Sequence, residues 1–192
     1  MNLGEVQLLL SAALDTTRAG PLPGSLLGRA AESELGMARA YLSDGKTFAS
    51  SGDVVNTLAS FYYAFGWLHF GGAYGTLITG MKTPPCPFIA PLECLPAHAR
   101  SRLVEKTGRY DRLLATAFTS VVPSPDPAVP AHAFASRVIG IAEVHSVRGR
   151  WLLDQGRYED ALATFSYGHG WIDAGVSAGL FRITAERDLF TV

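Results

Sequence analysis

The sequence GRYEDALATFSYGHGWIDAG, residues 156–175, decides the fold, because an earlier part of the chain repeats its pattern. A shift of 104 residues places GDVVNTLASFYYAFGWLHFGGAYGTL (52–77) over GRYEDALATFSYGHGWIDAGVSAGLF (156–181) without a gap, and nine of the 26 positions are identical. Self-similarity of this kind indicates that one structural unit occurs twice. The sequence therefore predicts two tandem copies of one unit.

The boundary between the copies lies in the stretch TGMKTPPCPFIAPLECLPAH, whose five prolines are incompatible with a continuous helix. We expect a first unit over residues 1–80, a proline-rich linker over 81–97 and a second unit over 98–192.

Each unit reads as three helices. Gly52 and Gly156 are typical of residues that end a helix in the left-handed conformation, and Asp53 can cap the helix that follows. The sequence contains neither the sustained alternation of apolar and polar residues nor the Asn-Gly turns that would indicate strands. We predict an all-α fold, two tandem three-helix bundles with helices over 3–17, 25–50, 54–79, 99–121, 131–155 and 158–185.

The composition limits the class of partner. Of 192 residues, 48% are hydrophobic and 17% charged, and the net charge of -1 gives no footprint for nucleic acid or anionic lipid. A local basic group interleaves with leucines, which is typical of a solvent-exposed helix face. It consists of Arg100, Arg102, Lys106, Arg109 and Arg112. Nucleic acid is accordingly a disfavoured partner, although the sequence does not exclude it.

A membrane helix over Val54–Met81 is the alternative suggested by the lack of formal charge there and by the GxxxG spacing of Gly71 and Gly75. The second copy keeps the same pattern but carries charged residues, which favours a buried helix in both copies.

The beginning of the chain lacks the basic region of a signal peptide. We expect a cytoplasmic protein without a cofactor or metal, in which Cys86 and Cys94 are reduced thiols.

The third helix of each unit has a stripe of small residues at steps of three or four. Each glycine in a helix interior costs about 1 kcal/mol relative to alanine, so close packing must offset the cost. The stripe is Ala161, Thr164, Gly168, Trp171, Gly175 and Gly179, with Thr57, Ser60, Ala64, Trp67, Gly71 and Gly75 in the first copy. We predict that the two third helices pack against each other or near a pseudo-twofold axis.

The same helices carry the candidate site. His169 and Asp173 are four residues apart and can touch on one helix face, with Tyr167 nearby. The first copy has Phe65 and His69 at the positions of His169 and Asp173, and no nucleophile or third ligand is evident. A structural, hydrogen-bonded His–Asp pair is therefore favoured over a catalytic or metal site.

The candidate cluster for a ligand or an interface also contains aromatic residues of both copies. Its members are Tyr63, Trp67, His69, Tyr167, His169, Trp171 and Asp173. Aromatic residues in this pattern indicate a core or an interface first, and groups that stack on a ligand second. A small-molecule pocket between the copies, lined by Tyr167, His169, Trp171 and Asp173, is a weaker alternative.

The stretch RGRWLLDQGRYEDALATFSYGHGWIDAGVSAGL (148–180) resembles an archaeal helical family, domain-of-unknown-function family 357. The matching residues are Gly156, Tyr158, Ala161, Leu162, Ala163, Phe165, Ser166, Tyr167, Gly170, Trp171, Asp173, Ala174 and Gly175. The resemblance covers about residues 98–185, and the first copy is a degenerate version with His69 and Phe70 in place of the motif's Asp and Ala. It implies a three-helix bundle per copy, an archaeal cytoplasmic setting and no assigned activity.

The stretch ARAYLSDGKTFASSGDVVNTLASFYYAF (38–65) is weakly similar to the HEPN family of helical nucleotide-binding and RNase domains. Active members need an Arg and a His four to six residues apart, whereas Arg137 and His145 are eight apart. We expect a non-enzymatic interaction or scaffold module, acting as a homodimer or with a protein partner. The alternative is a HEPN-like nucleotide or RNA binder that lacks the catalytic pair.

Overall fold

The computed structural model describes residues 1–80 and 91–191, and these residues confirm the all-α fold in two three-helix units. The first unit contains α1 (Leu3–Asp15), α2 (Leu26–Ser50) and α3 (Val54–Tyr74). The second contains α4 (Arg100–Thr119), α5 (Pro130–Asp154) and α6 (Tyr158–Ser177). Cys94 is an exposed free thiol, whereas Cys86 lies outside the described residues.

Helices α3 and α6 end earlier than the sequence suggested, at Tyr74 and Ser177 instead of residues 79 and 185. The reason is that Gly75 and Gly179 adopt φ angles of 85° and 75°, so they end helices and do not pack inside them. A short strand follows each glycine, which the sequence did not predict.

Within residues 1–80 and 91–191, four short strands form two antiparallel pairs, one in each unit. In the first unit, β1 (Arg18–Ala19) pairs with β2 (Leu77–Ile78). In the second, β3 (Val121–Pro123) pairs with β4 (Phe181–Ile183). Each pair joins the connection between the first two helices to the chain after the third helix.

The small-residue stripe packs mainly within its own unit. A Cβ atom at Gly71 would lie 2.5 Å from Leu77 of β2, and one at Gly175 would lie 2.4 Å from Phe181 of β4. The stripe therefore makes room for the returning strands, and the prediction that it forms the contact between the two units was wrong in this detail.

The two units meet where α3 crosses α6, at a pair of glycines outside the stripe. A Cβ atom at Gly66 would lie 2.5 Å from the carbonyl oxygen of Tyr167, and one at Gly170 would lie 2.5 Å from that of Tyr63. Equivalent residues of the two copies thus meet each other, so the predicted packing of the third helices about a pseudo-twofold axis is confirmed. Both helices are almost entirely buried at this crossing.

The second helix of each unit leaves room for a phenylalanine of the third. A Cβ atom at Gly45 would lie 2.3 Å from the ring of Phe61, and one at Gly149 would lie 2.2 Å from the ring of Phe165. Both rings are fully buried.

The membrane-helix alternative finds no support, because none of the helices within residues 1–80 and 91–191 has the length and hydropathy of a membrane span.

Candidate functional site

The predicted cluster lies at the crossing of α3 and α6, and its central hydrogen bond joins the two units. The hydroxyl of Tyr63 on α3 donates to Oδ2 of Asp173 on α6. Thr191 donates to the same oxygen at 2.8 Å. Asp173 is only 2% exposed, so these two donors stabilise a carboxylate that solvent does not reach.

The equivalent residues of the two copies make a second hydrogen bond between the units. Tyr167, the counterpart of Tyr63, is 2.7 Å through its hydroxyl from Nδ1 of His69, the counterpart of Asp173. Burial and the neighbouring His145 lower the pKa of His69 to about 4, so its ring is neutral at pH 7. Each tyrosine therefore bonds to the other unit, and the change from Asp to His conserves a polar partner for it.

The predicted hydrogen bond between His169 and Asp173 is not formed. Nε2 of His169 and Oδ1 of Asp173 are 4.0 Å apart, beyond hydrogen-bond distance. The carboxylate of Asp173 is engaged by Tyr63 instead, and the His169 ring lies edge-on to the ring of Tyr63 with centroids 6.0 Å apart. The prediction considered contacts along one helix and missed the donor on the other.

Trp67 and Trp171 are core residues, as the repeat suggested. Trp67 is 1% and Trp171 5% exposed. The indole of Trp171 packs at a right angle on Phe70, with centroids 5.9 Å apart. Neither ring is available to stack on a ligand from solvent.

A partly enclosed cavity of about 150 Å³ adjoins the cluster, but it contains only part of the predicted pocket. His169 and Asp173 contribute to its wall together with Tyr41, Tyr63 and Tyr110, whereas Tyr167 and Trp171 do not. Burial and the Asp173 carboxylate raise the pKa of Tyr63 well above its ordinary value, so its hydroxyl remains a donor. Oδ1 of Asp173 and Nε2 of His169 are shielded from solvent, and within the described chain neither has a hydrogen-bond partner. The geometry is that of a packed polar junction between the units.

The basic residues of α4 are partly used inside the protein. Arg102 forms a 2.7 Å ion pair with Asp53, and Lys106 is buried and donates to Asn56. The prediction that Lys106 lies on a solvent-exposed face was therefore wrong, because the neighbouring unit supplies a partner. The other four basic residues of this group are exposed.

The Arg–His pair of the HEPN comparison does not form a site. Arg137 is exposed, whereas His145 is buried with Nδ1 2.8 Å from the carbonyl oxygen of Ile141 on its own helix. Across residues 1–80 and 91–191, no three His, Cys, Asp or Glu side chains are grouped as metal ligands would be.

The structure shows a surface that the sequence interpretation missed, on the outer face of α5. Val144 and Val147 are each 63% exposed and Trp151 is 46% exposed, and we call these three residues the α5 stripe. The equivalent positions of α2 hold the small or polar residues Ala40, Ser43 and Thr47. Comparing the outer faces of the two copies, and not only their shared core, would have revealed this difference.

A known protein family matches both halves of the chain. The model of the family described as protein of unknown function DUF357 matches residues 7–77 and, a second time, residues 109–181. No curated protein and no solved structure matches the chain. The two matched regions fall on the two three-helix units and together cover most of the sequence, so the chain belongs to the DUF357 family and carries its domain twice.

Proposed function

We propose that this protein is a non-enzymatic helical interaction module that acts as a scaffold or adaptor. The observation that carries the proposal is the α5 stripe. Val144, Val147 and Trp151 leave contiguous apolar surface in water at a position where the first copy has none. Contiguous exposed apolar surface is typical of a site that another protein covers.

The use of the internal surfaces supports this choice. The close-packed faces of α3 and α6 are buried in their contact with each other, so the surface available to a partner lies on the outer helices. Among these, α5 presents two valines and a tryptophan on one face, and tryptophan is enriched at the energetic centres of interfaces.

The polar junction supports a structural role for the motif residues. Tyr63 and Asp173 bond to each other across the two units, and Asp173 is only 2% exposed. A buried polar bond of this kind holds two helices in register.

The test is the size of the native assembly with and without the stripe. Val147→Glu places a charge in the stripe, and Ser43→Glu places the same charge at the equivalent position of α2. We expect the wild-type protein and Ser43→Glu to occur in native extract in an assembly larger than the 20.5 kDa chain. Val147→Glu should occur at the mass of one chain with an unchanged circular dichroism spectrum.

Two results would contradict the proposal. One is a wild-type protein that occurs as a single chain both in extract and when purified at high concentration, or an assembly that Val147→Glu leaves intact. The other is turnover of a substrate by the pure protein that a point mutation abolishes.

A further inference from the structure

We propose that the partner on the α5 stripe is a second copy of this chain, bound through an antiparallel pair of α5 helices. The inference rests on the proposed function in that it takes the stripe to be an interaction surface. It goes further because it names the partner and the register.

The exposed face of α5 has the spacing of a helix–helix seam. Six residues recur along it at alternating steps of three and four, which is the repeat of a coiled-coil interface. They are Arg137, Gly140, Val144, Val147, Trp151 and Asp154. In an antiparallel pair the first residue of this series meets the last, and the second meets the fifth.

The resulting layers are complementary in shape. Val144 meets Val147 of the second copy at the centre, and the twofold axis generates this layer twice. In the next layer Trp151 meets Gly140 of the second copy. A Cβ atom added at Gly140 would have no neighbour within 4 Å, so this position offers open space for an indole ring.

The outer layers are complementary in charge. Arg137 and Asp154 are both exposed, and within residues 1–80 and 91–191 neither takes part in an ion pair. An antiparallel pair places Arg137 opposite Asp154 of the second copy at both ends. A parallel pair would place arginine against arginine and aspartate against aspartate, which is unfavourable.

The first copy of the domain gives a further reason to favour a second copy of the chain as the occupant. The corresponding face of α2 lacks the apolar and charged layers, because it holds Ser33, Gly36, Ala40, Ser43, Thr47 and Ser50. A contact through α5 alone therefore joins two copies and leaves no equivalent face for a third.

The first experiment exchanges charges on the purified full chain and measures its mass by sedimentation. A single helix pair is a small interface, so we expect the wild type to dimerise with a Kd on the order of 10 µM. Arg137→Asp and Asp154→Arg should each weaken the dimer roughly tenfold, because each creates two like-charged layers. An equimolar mixture of these two variants should dimerise like the wild type, because every outer layer then holds opposite charges.

The second experiment fills the space opposite Trp151. Gly140→Leu should weaken the dimer at least tenfold, because leucine occupies the place of the indole ring. Gly36→Leu is its matched control, since Gly36 also has open space around it but lies on α2, and it should leave the Kd unchanged. Circular dichroism should show that both variants keep their helices.

The results separate the two proposals. A wild type that stays monomeric at every concentration overturns the second copy as partner, and so does a charge mixture that does not restore the dimer. A native assembly that Val147→Glu still disrupts would then leave the interaction module standing with a different partner. The absence of both the dimer and the native assembly overturns both.

Discussion

Glu34 is a buried acidic residue whose counterpart in the second unit is apolar. It is 1% exposed on α2, it accepts a hydrogen bond from Thr76, and its Oε1 has no hydrogen-bond partner among the described residues. Val138 occupies the equivalent position in the second unit. Burial raises the pKa of Glu34 from 4.5 to about 7, although the Thr76 hydrogen bond lowers it. Between about pH 4.5 and pH 7, Glu34 therefore retains a proton in the folded protein that it has lost in the unfolded chain.

Glu34→Gln should change the pH dependence of stability. A raised carboxyl pKa means that the contribution of Glu34 is fully present below pH 4.5 and is lost as pH rises through about 7. The loss amounts to roughly 3 kcal/mol of unfolding free energy. Urea unfolding at pH 5 and pH 8 should show a drop for the wild type that is about 2.5 kcal/mol smaller in Glu34→Gln, because part of the loss has already occurred at pH 5. The exposed neighbour provides the control, since Glu32→Gln should keep the wild-type drop. Equal drops in the wild type and Glu34→Gln would refute the assignment.

At the scale of the helices, the repeat identified the elements but not their ends or contacts. The shared glycines and aromatics predicted three helices per unit because their spacing is local. Gly75 and Gly179 were read as packing residues, since sequence alone does not distinguish a glycine that packs from one with positive φ. The bond from Tyr63 to Asp173 was missed for a related reason. It depends on which helix crosses which, and no local spacing encodes that.

The packing of α2 against α3 leads to a prediction about two glycines on one helix. Gly45→Ala should destabilise the protein by about 1–3 kcal/mol, because its Cβ would lie 2.3 Å from the fully buried Phe61 ring. Gly36→Ala on the same helix should stabilise it by up to about 1 kcal/mol, since its Cβ meets no atom within 4 Å. Urea unfolding of both variants measures the difference. A gain in stability at both positions would mean that Phe61 does not pack on Gly45.

At the scale of the whole molecule, the two units form one internal dimer. Contacts at the centre come from equivalent residues of the copies, Gly66 with Gly170, and polar bonds cross between the units on either side. The contact between the two domain copies is thus made within one chain. The copies differ on their outer faces, where α5 exposes two valines and a tryptophan that α2 lacks.

The crossing should therefore control the cooperativity of the whole chain. A Cβ at Gly66 would lie 2.5 Å from a backbone oxygen and 2.9 Å from the Cα of Gly170, and the backbone cannot rotate away as a side chain can. We expect Gly66→Ala to destabilise the protein by roughly 3 kcal/mol and to separate one unfolding transition into two, as the units lose their contact. Gly72→Ala on the same helix is the control, because its Cβ approaches only Thr79, at 3.4 Å. The measurement is urea unfolding followed by circular dichroism and by tryptophan fluorescence, whose transitions should coincide in the wild type and in Gly72→Ala. If Gly66→Ala unfolds in one transition with wild-type stability, the glycine crossing does not hold the two units together, and their other contacts must do so.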